Sequence, residues 1–239
     1  MTLDEIIKIN HCHSPSALWK YILTVARKYG FRTSIYVCPP PHKRPTHPKT
    51  VIRYNGISDT DFQKFAIEGL VKQGHITTQN TLLNADAFRW TEIGDLTKRA
   101  QAFENLKKDA NSAHIDEGWI FPLFGPQSRN GLASYGRPRH PALMTDAIGA
   151  QFRVFAQMAH LRLCQLTPDL YGIEKSLSKR EMQIVGWAAK GKSNAEIGTI
   201  LGLSESSIDS YMRRAFVKLD VHDRTSASVK AISMDLVRT

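Results

Sequence analysis

Ser206, Asp209, Ser210 and Arg213 recur at intervals of three and four residues, with Arg214 beside them. At about 100° per residue they share one side of a helix with Val217, opposite a stripe of Ile208, Met212, Ala215 and Leu219. Small hydroxyl residues let a backbone approach base edges. Arginine offers a fork of donors to guanine or a charge to phosphate. Aspartate can accept from a cytosine amine, although it repels phosphate. This is chemistry for reading the major groove of DNA. An amphipathic bundle with a solvated polar face has the same periodicity, so the neighbouring elements must decide.

Those elements form an ordered series. Ser178 followed by Glu181 is a capping box. Met182, Val185 and Ala189 then fall on one helical face, and Gly191 suits the left-handed position that ends it. Ile197, Ile200 and Leu201 mark a shorter apolar face. Gly202 stops that helix and Ser204 can cap the next. The series of cap, stop, short helix, turn and long helix predicts a helix-turn-helix within four short helices over 176–239. Val229, Ile232 and Leu236 give the last helix an apolar face, suited either to pairing with a second chain or to the domain's own core.

The segment resembles the LuxR-type DNA-binding domain. The resemblance runs through Leu177, Ser178, Arg180, Glu181, Gly191, Lys192, Ala195, Ile197, Ile200, Leu201, Ser204, Ile208, Lys218, Leu219, Val221, Arg224 and Ala227. It implies base or phosphate contacts at Asp209, Ser210 and Arg213. Lys192, Ser206, Asp209, Ser210, Arg213 and Arg214 are therefore the candidate DNA-binding residues. Two positions depart from the pattern. Tyr211 stands where the family usually has His, and Asp209 is acidic where the family is often basic or neutral. The expected partner is double-stranded DNA at a palindromic promoter site, read by a homodimer whose two recognition helices reach half-sites about one turn apart.

Composition bounds the alternatives. The 239 residues suffice for one large and one small domain, and 42% hydrophobic residues can form both cores. The net charge of +10 favours polyanions. Residues 174–239 carry 11 Lys/Arg against 8 Asp/Glu, while 1–173 carry 21 against 14, so the larger excess lies outside the DNA-reading segment. A basic solvated surface is the simpler account of that excess. Cys12, Cys38 and Cys164 are too few and scattered for a disulfide framework. No apolar run is long enough to cross a bilayer, and Asp4 and Glu5 open an amphipathic helix rather than a leader, so the expected compartment is the cytoplasm. His11, Cys12, His13, His42 and His47 lack zinc-ligand spacing. No nucleophile elbow, HExxH or phosphate-cradling loop is present. The sequence therefore offers no catalytic residues, no metal site and no required cofactor.

Upstream, residues 3–10 and 15–29 read as helices, Phe31 to Cys38 and Val51 to Tyr54 as strands, and Pro39 to Pro48 as a loop. Asp59 to Gln73, capped by Ser58 or Asp59, and Thr97 to Asn111 read as further helices. Gly118 to Phe124 and Gly131 to Tyr135 form a hairpin. A long helix follows over Pro141 to Leu166, its apolar face carrying Phe152, Phe155, Ala159 and Leu163. The expected fold class is α+β: an N-terminal α-β-α sandwich sensor domain on an antiparallel sheet over 1–167, a linker over 168–175, and the four-helix DNA-binding domain over 176–239.

Leu18 to Leu166 resembles, more weakly, the LuxR-family autoinducer-binding domain, through Trp90 and through Gly118, Pro122, Leu123, Gly125, Gly131, Leu132 and Ser134. The resemblance implies a buried acyl-homoserine lactone or another small acylated ligand in an aliphatic and aromatic pocket. Counting back from Trp90, the family's Trp that bonds the lactone carbonyl becomes Phe62. Its Tyr becomes Ala66, its Asp becomes His75 and the following Pro becomes Ile76. Phe62 has no donor, whereas a neutral His75 could still accept from an amide. Tyr36, Tyr54, Phe62, His75, Trp90, Phe103, Trp119 and Ser134 are the candidate ligand-lining residues, and their aromatics are equally explained as core. Three readings follow. One is a regulator independent of the lactone or tuned to another ligand, another is a conventional quorum-sensing receptor, and the third is an anti-activator that forms heterodimers with a related regulator.

Overall fold

Ser14 Oγ accepts the Ala17 amide and Pro15 takes the first helical position, and together they start α2 (Pro15–Lys28). A proline there gives up an N–H that would be unpaired anyway. Ahead of it, α1 (Leu3–Ile7) opens with a capping box between Thr2 and Glu5 and passes into a 3-10 turn, Lys8–His11. The computed structural model describes residues 1–41, 47–62, 87–89, 117–168, 170, 177–234 and 236–237. The chain divides into two compact units, Met1–Pro168 and Asp169–Thr239.

The first unit is built on an antiparallel sheet. Its strands are β1 (Phe31–Cys38), β2 (Val51–Asn55), β3 (Phe88–Arg89), β4 (Gly118–Leu123) and β5 (Gly131–Pro138), in the order β2-β1-β5-β4-β3. The register aligns Tyr54, Ile35, Ser134, Ile120 and Phe88 in one row across all five strands. The next row holds Asn55, Ser34, Tyr135, Trp119 and Arg89. Successive side chains alternate sides, so these two rows face opposite ways.

Helix α2 and the long helix α4 (Asp146–Leu166) cover the side that bears Tyr135 and Trp119. Phe152 of α4 meets Phe31 at 4.9 Å and Tyr135 at 4.8 Å, both edge-on. A Cβ on Gly149 would lie 2.8 Å from the Trp119 ring, so glycine sets how closely α4 approaches β4. The sequence pattern predicts a start for this helix at about Pro141. Instead Pro141–Leu143 is a separate 3-10 turn, and α4 starts after Thr145, whose extended backbone and side-chain bond to the Ile148 amide make it the cap. The helix expected from Asp59 is described as α3 (Asp59–Phe62), with Ser58 Oγ accepting the Asp61 amide. Its remainder and the helix expected over Thr97 to Asn111 lie outside the described residues.

The second unit holds four helices among the described residues: α5 (Lys179–Ala189), α6 (Asn194–Leu201), α7 (Glu205–Leu219) and α8 (Arg224–Ser233). Capping boxes at Ser178 with Glu181 and at Ser193 with Glu196 start the first two, and Ser204 caps α7. Gly202 closes α6 at φ +64°, a left-handed position glycine takes without strain. Ile208, Met212, Ala215 and Leu219 are all buried, as their spacing predicts, against Ile184, Val185, Ile197, Ala227 and Ala231. Three expectations need correction. The most buried positions of α5 are Glu181, Ile184, Val185 and Ala188, with Met182 and Ala189 only half-buried, because the helix packs against α7 and α8 together. Ile200 is exposed, since a two-turn helix has one face to bury. Leu236 lies beyond the end of α8 and packs on the core, while Val229 and Ile232 remain exposed at 61% and 38%.

Candidate nucleic-acid interface and sensor site

Helix α7 presents Ser206, Ser210, Arg213 and Arg214 to solvent, with Asp209 half-exposed and Val217 beyond them on the same side. The hydroxyls fold back on the helix: Ser210 Oγ donates to the Ser206 carbonyl at 3.0 Å. Arg213 Nε donates to Asp209 Oδ2 at 2.9 Å. The Arg214 guanidinium lies 4.3 Å from the Tyr211 ring centre, and its Nε donates to the Ser210 carbonyl at 3.3 Å. Five of the six candidate DNA contacts thus share one helix. Lys192 stands on another element, the turn before α6, where its Nζ pairs with Glu196 at 2.9 Å. Arg224 braces that turn by donating to Asn194 Oδ1 and to the Lys192 carbonyl. From the core side, Glu181 ties α5 to α7 by accepting from Lys218 Nζ at 2.7 Å. Burial alone would raise the Glu181 pKa, but the bonds from Lys218 and Ser178 outweigh it and hold the carboxyl below its usual range.

The sheet separates the candidate ligand residues. Tyr54 and Ser134 belong to one row, with buried Ile35 and Ile120 between and beside them. Phe62 joins that side by stacking on Tyr54 at 3.8 Å and 10°. The Tyr54 hydroxyl is taken by Asp59 Oδ1 at 2.7 Å. Tyr36 and Trp119 lie on the other side, under α2 and α4, so they do not line the same space. His75, Trp90 and Phe103 lie outside the described residues. A shallow apolar hollow on the α2 and α4 side is floored by Tyr36 and Ala133 and walled by Trp19 and Leu163, and the small Ala156 and Ala159 leave it open. Of the histidines read as surface residues, His11 and His13 are exposed. Among the described residues no group of His, Cys, Asp and Glu could hold a metal ion, and no helix is long and apolar enough to cross a membrane.

Residues 14–163 match the model of the autoinducer binding domain, and residues 175–231 match that of bacterial regulatory proteins of the luxR family. The chain belongs to the LuxR family. It carries an autoinducer-binding domain followed by a regulatory domain of the luxR type. Its relatives are regulators rather than enzymes. It is 27% identical to the HTH-type transcriptional regulator y4qH of Sinorhizobium fredii over 65% of this chain and 48% of that one. It is 30% identical to the quorum sensing-dependent transcriptional regulator RpaR of Rhodopseudomonas palustris over 63% of this chain and 61% of that one. The matched stretch thus spans about half of the first relative and three-fifths of the second. The crystal structure of Escherichia coli SdiA has the same fold, with a TM-score of 0.80 over 99% of this chain and 97% of SdiA at 18% identity.

Two buried polar residues of the first unit carry no signal in the sequence. His160 of α4 is 1% exposed, with Nδ1 2.8 Å from the Tyr36 hydroxyl and Nε2 2.7 Å from the Arg129 carbonyl. A carbonyl only accepts, so Nε2 carries the hydrogen and Nδ1 accepts from Tyr36. Burial, with the nearby Arg129 charge, lowers the His160 pKa to about 4 despite the bond to the Arg129 carbonyl. Arg129 in the β4–β5 turn is 4% exposed and donates to the carbonyls of Cys164 and Thr167 and to Thr167 Oγ1. It closes the last turn of α4, where a cation also suits the helix dipole.

Proposed function

We propose that this regulator binds a palindromic DNA site as a homodimer in the cytoplasm. We further propose that its sensor unit works without the usual lactone anchors, either free of ligand or with a different acylated ligand. The observation that carries this reading is the Tyr54–Phe62 stack. The position that would donate to a lactone carbonyl holds a ring with no donor, and that ring is packed flat on Tyr54. The neighbouring Tyr54 hydroxyl is already committed to Asp59. A polar head group placed there would lose its partners, and a buried carbonyl left unpaired costs about 1–3 kcal/mol.

Ser134, retained where the family resemblance places a pocket residue, keeps the conventional receptor as the second reading. A SdiA structure holds octanoyl-rac-glycerol, an acyl chain on a head group other than a lactone, so that ester belongs among the probes. Native mass spectrometry of full-length protein from a host that makes no acyl-homoserine lactone tests the proposal. A ligand-free dimer that ignores added lactones is the expected result. One lactone retained per subunit would restore the conventional receptor. Dimerisation only with a related regulator, and no DNA binding alone, would point to the anti-activator.

A further inference from the structure

We infer that Asp209 and Tyr211 are positioning residues that hold Arg213 and Arg214 for DNA, and that these two departures from the family pattern redirect which bases are read rather than abolish reading. The inference rests on α7 being the DNA-contacting helix. It explains two unusual residues by one arrangement.

Around the axis of α7, at about 100° per residue, Ser206, Ser210 and Val217 mark the middle of the outward face. Arg213 and Arg214 occupy its two shoulders. Asp209 and Tyr211 stand outside those shoulders, one on each flank. Each arginine contacts the residue on its own outer side. Asp209 takes Arg213 Nε at 2.9 Å. The ring of Tyr211 supports the Arg214 guanidinium at 4.3 Å. Tyr211 is itself anchored, because it is half-buried against the core of the unit. Between the two arginines, ahead of Val217, stand Ser206 and Ser210, and the Ser210 hydroxyl is bonded back to the Ser206 carbonyl, so this part of the face is low enough for a groove floor to approach.

The bonding pattern assigns different tasks to the two sides. Asp209 engages Nε and leaves the two terminal amino groups of Arg213 without a partner among the described residues. Those two groups are the ones that pair with O6 and N7 of guanine. Asp209 Oδ1 has no partner there either, and it can accept from a cytosine amine. The pair therefore sets a double donor beside an acceptor, complementary to guanine and cytosine edges together. Arg214 spends its Nε on the Ser210 carbonyl and its flat face on Tyr211, which leaves a fixed positive charge suited to phosphate. Fixing both side chains in advance removes part of the ordering cost of binding.

The opposing account is that Asp209 only neutralises Arg213 and repels DNA. The two accounts predict opposite signs. The site bound by the full-length protein is first selected from random duplexes. Wild type, D209A, D209N, Y211F and Y211L are then titrated by fluorescence anisotropy against the selected site and a scrambled duplex over a range of salt. Leucine keeps the apolar packing of Tyr211 and loses the ring. Without the aspartate charge, D209A should bind the scrambled duplex more tightly yet lose about tenfold in the ratio of selected to scrambled affinity, with degeneracy at a G·C position. D209N should retain most of that ratio. Y211L should weaken both duplexes alike and lower the salt slope by about one, while Y211F matches wild type. If D209A tightens both duplexes equally with the motif unchanged, or Y211L equals Y211F, the positioning roles are overturned while DNA reading stands. A wild type that enriches no motif overturns DNA reading itself, and the inference with it.

Discussion

His160 makes the sharpest statement that one residue makes about this protein. In the folded chain it is neutral, with its pKa lowered from 6.5 to about 4, chiefly by burial. In the unfolded chain it binds a proton near pH 6.5. Unfolding then takes up a proton between those values, so the stability His160 contributes is complete above about pH 6.5 and is lost as pH falls toward 4. His160→Gln should flatten that acid limb. The comparison is the urea midpoint of each protein at pH 7.5 and pH 5, and equal slopes in both would dismiss the role. Nothing in the sequence announced it. His160 follows Ala159 at the edge of an apolar stripe, and only the fold brings in Tyr36 from β1 and the Arg129 carbonyl from a turn. The reading-face residues of α7 were legible for the opposite reason, since helix periodicity alone carries them outward. The contacts of Asp209 with Arg213 and of Tyr211 with Arg214 were not legible, because a contact between residues four or three apart depends on rotamers.

Among the elements, the helix-turn-helix was legible because local signals agree along its length. Ser178, Gly202 and Ser204 each occupy the cap expected of them. The stripe of α5 was misplaced because Met182, Val185 and Ala189 satisfy helical spacing as well as Ile184, Val185 and Ala188 do. Which set is buried is settled by α7 and α8. Glu181 illustrates the same limit. Its cap was readable, but its bond to Lys218 across to α7 was not. Glu181→Ala should cost about 1–3 kcal/mol, since it removes the buried acceptor shared by Lys218 Nζ and the Ser178 amide. Thermal unfolding of the two proteins would check this, and a loss within error of zero would reduce Glu181 to an ordinary surface cap.

For the molecule as a whole, the division into a sensor unit and a DNA-binding unit follows from a change in pattern, from strands interleaved with helices to helices alone. The sorting of candidate ligand residues did not follow. Tyr36 and Tyr54 look alike in sequence, yet the register of β1 against β2 and β5 sends them to opposite sides of the sheet. Dimerisation belongs to this scale. Val229 and Ile232 are apolar, three residues apart and exposed on α8. If they pair two chains, V229D with I232D should yield a folded protein that sediments as a monomer and binds a palindromic site at least tenfold more weakly. A dimer of unchanged stability by analytical ultracentrifugation would place the interface elsewhere. Arg129 has a consequence of its own. The end of α4 would ordinarily fray, being a helix terminus with unpaired carbonyls. Here a residue from the β4–β5 turn holds that end. The last turn of α4 and the hairpin should therefore open as one cooperative unit, exchanging their amide hydrogens at a common slow rate.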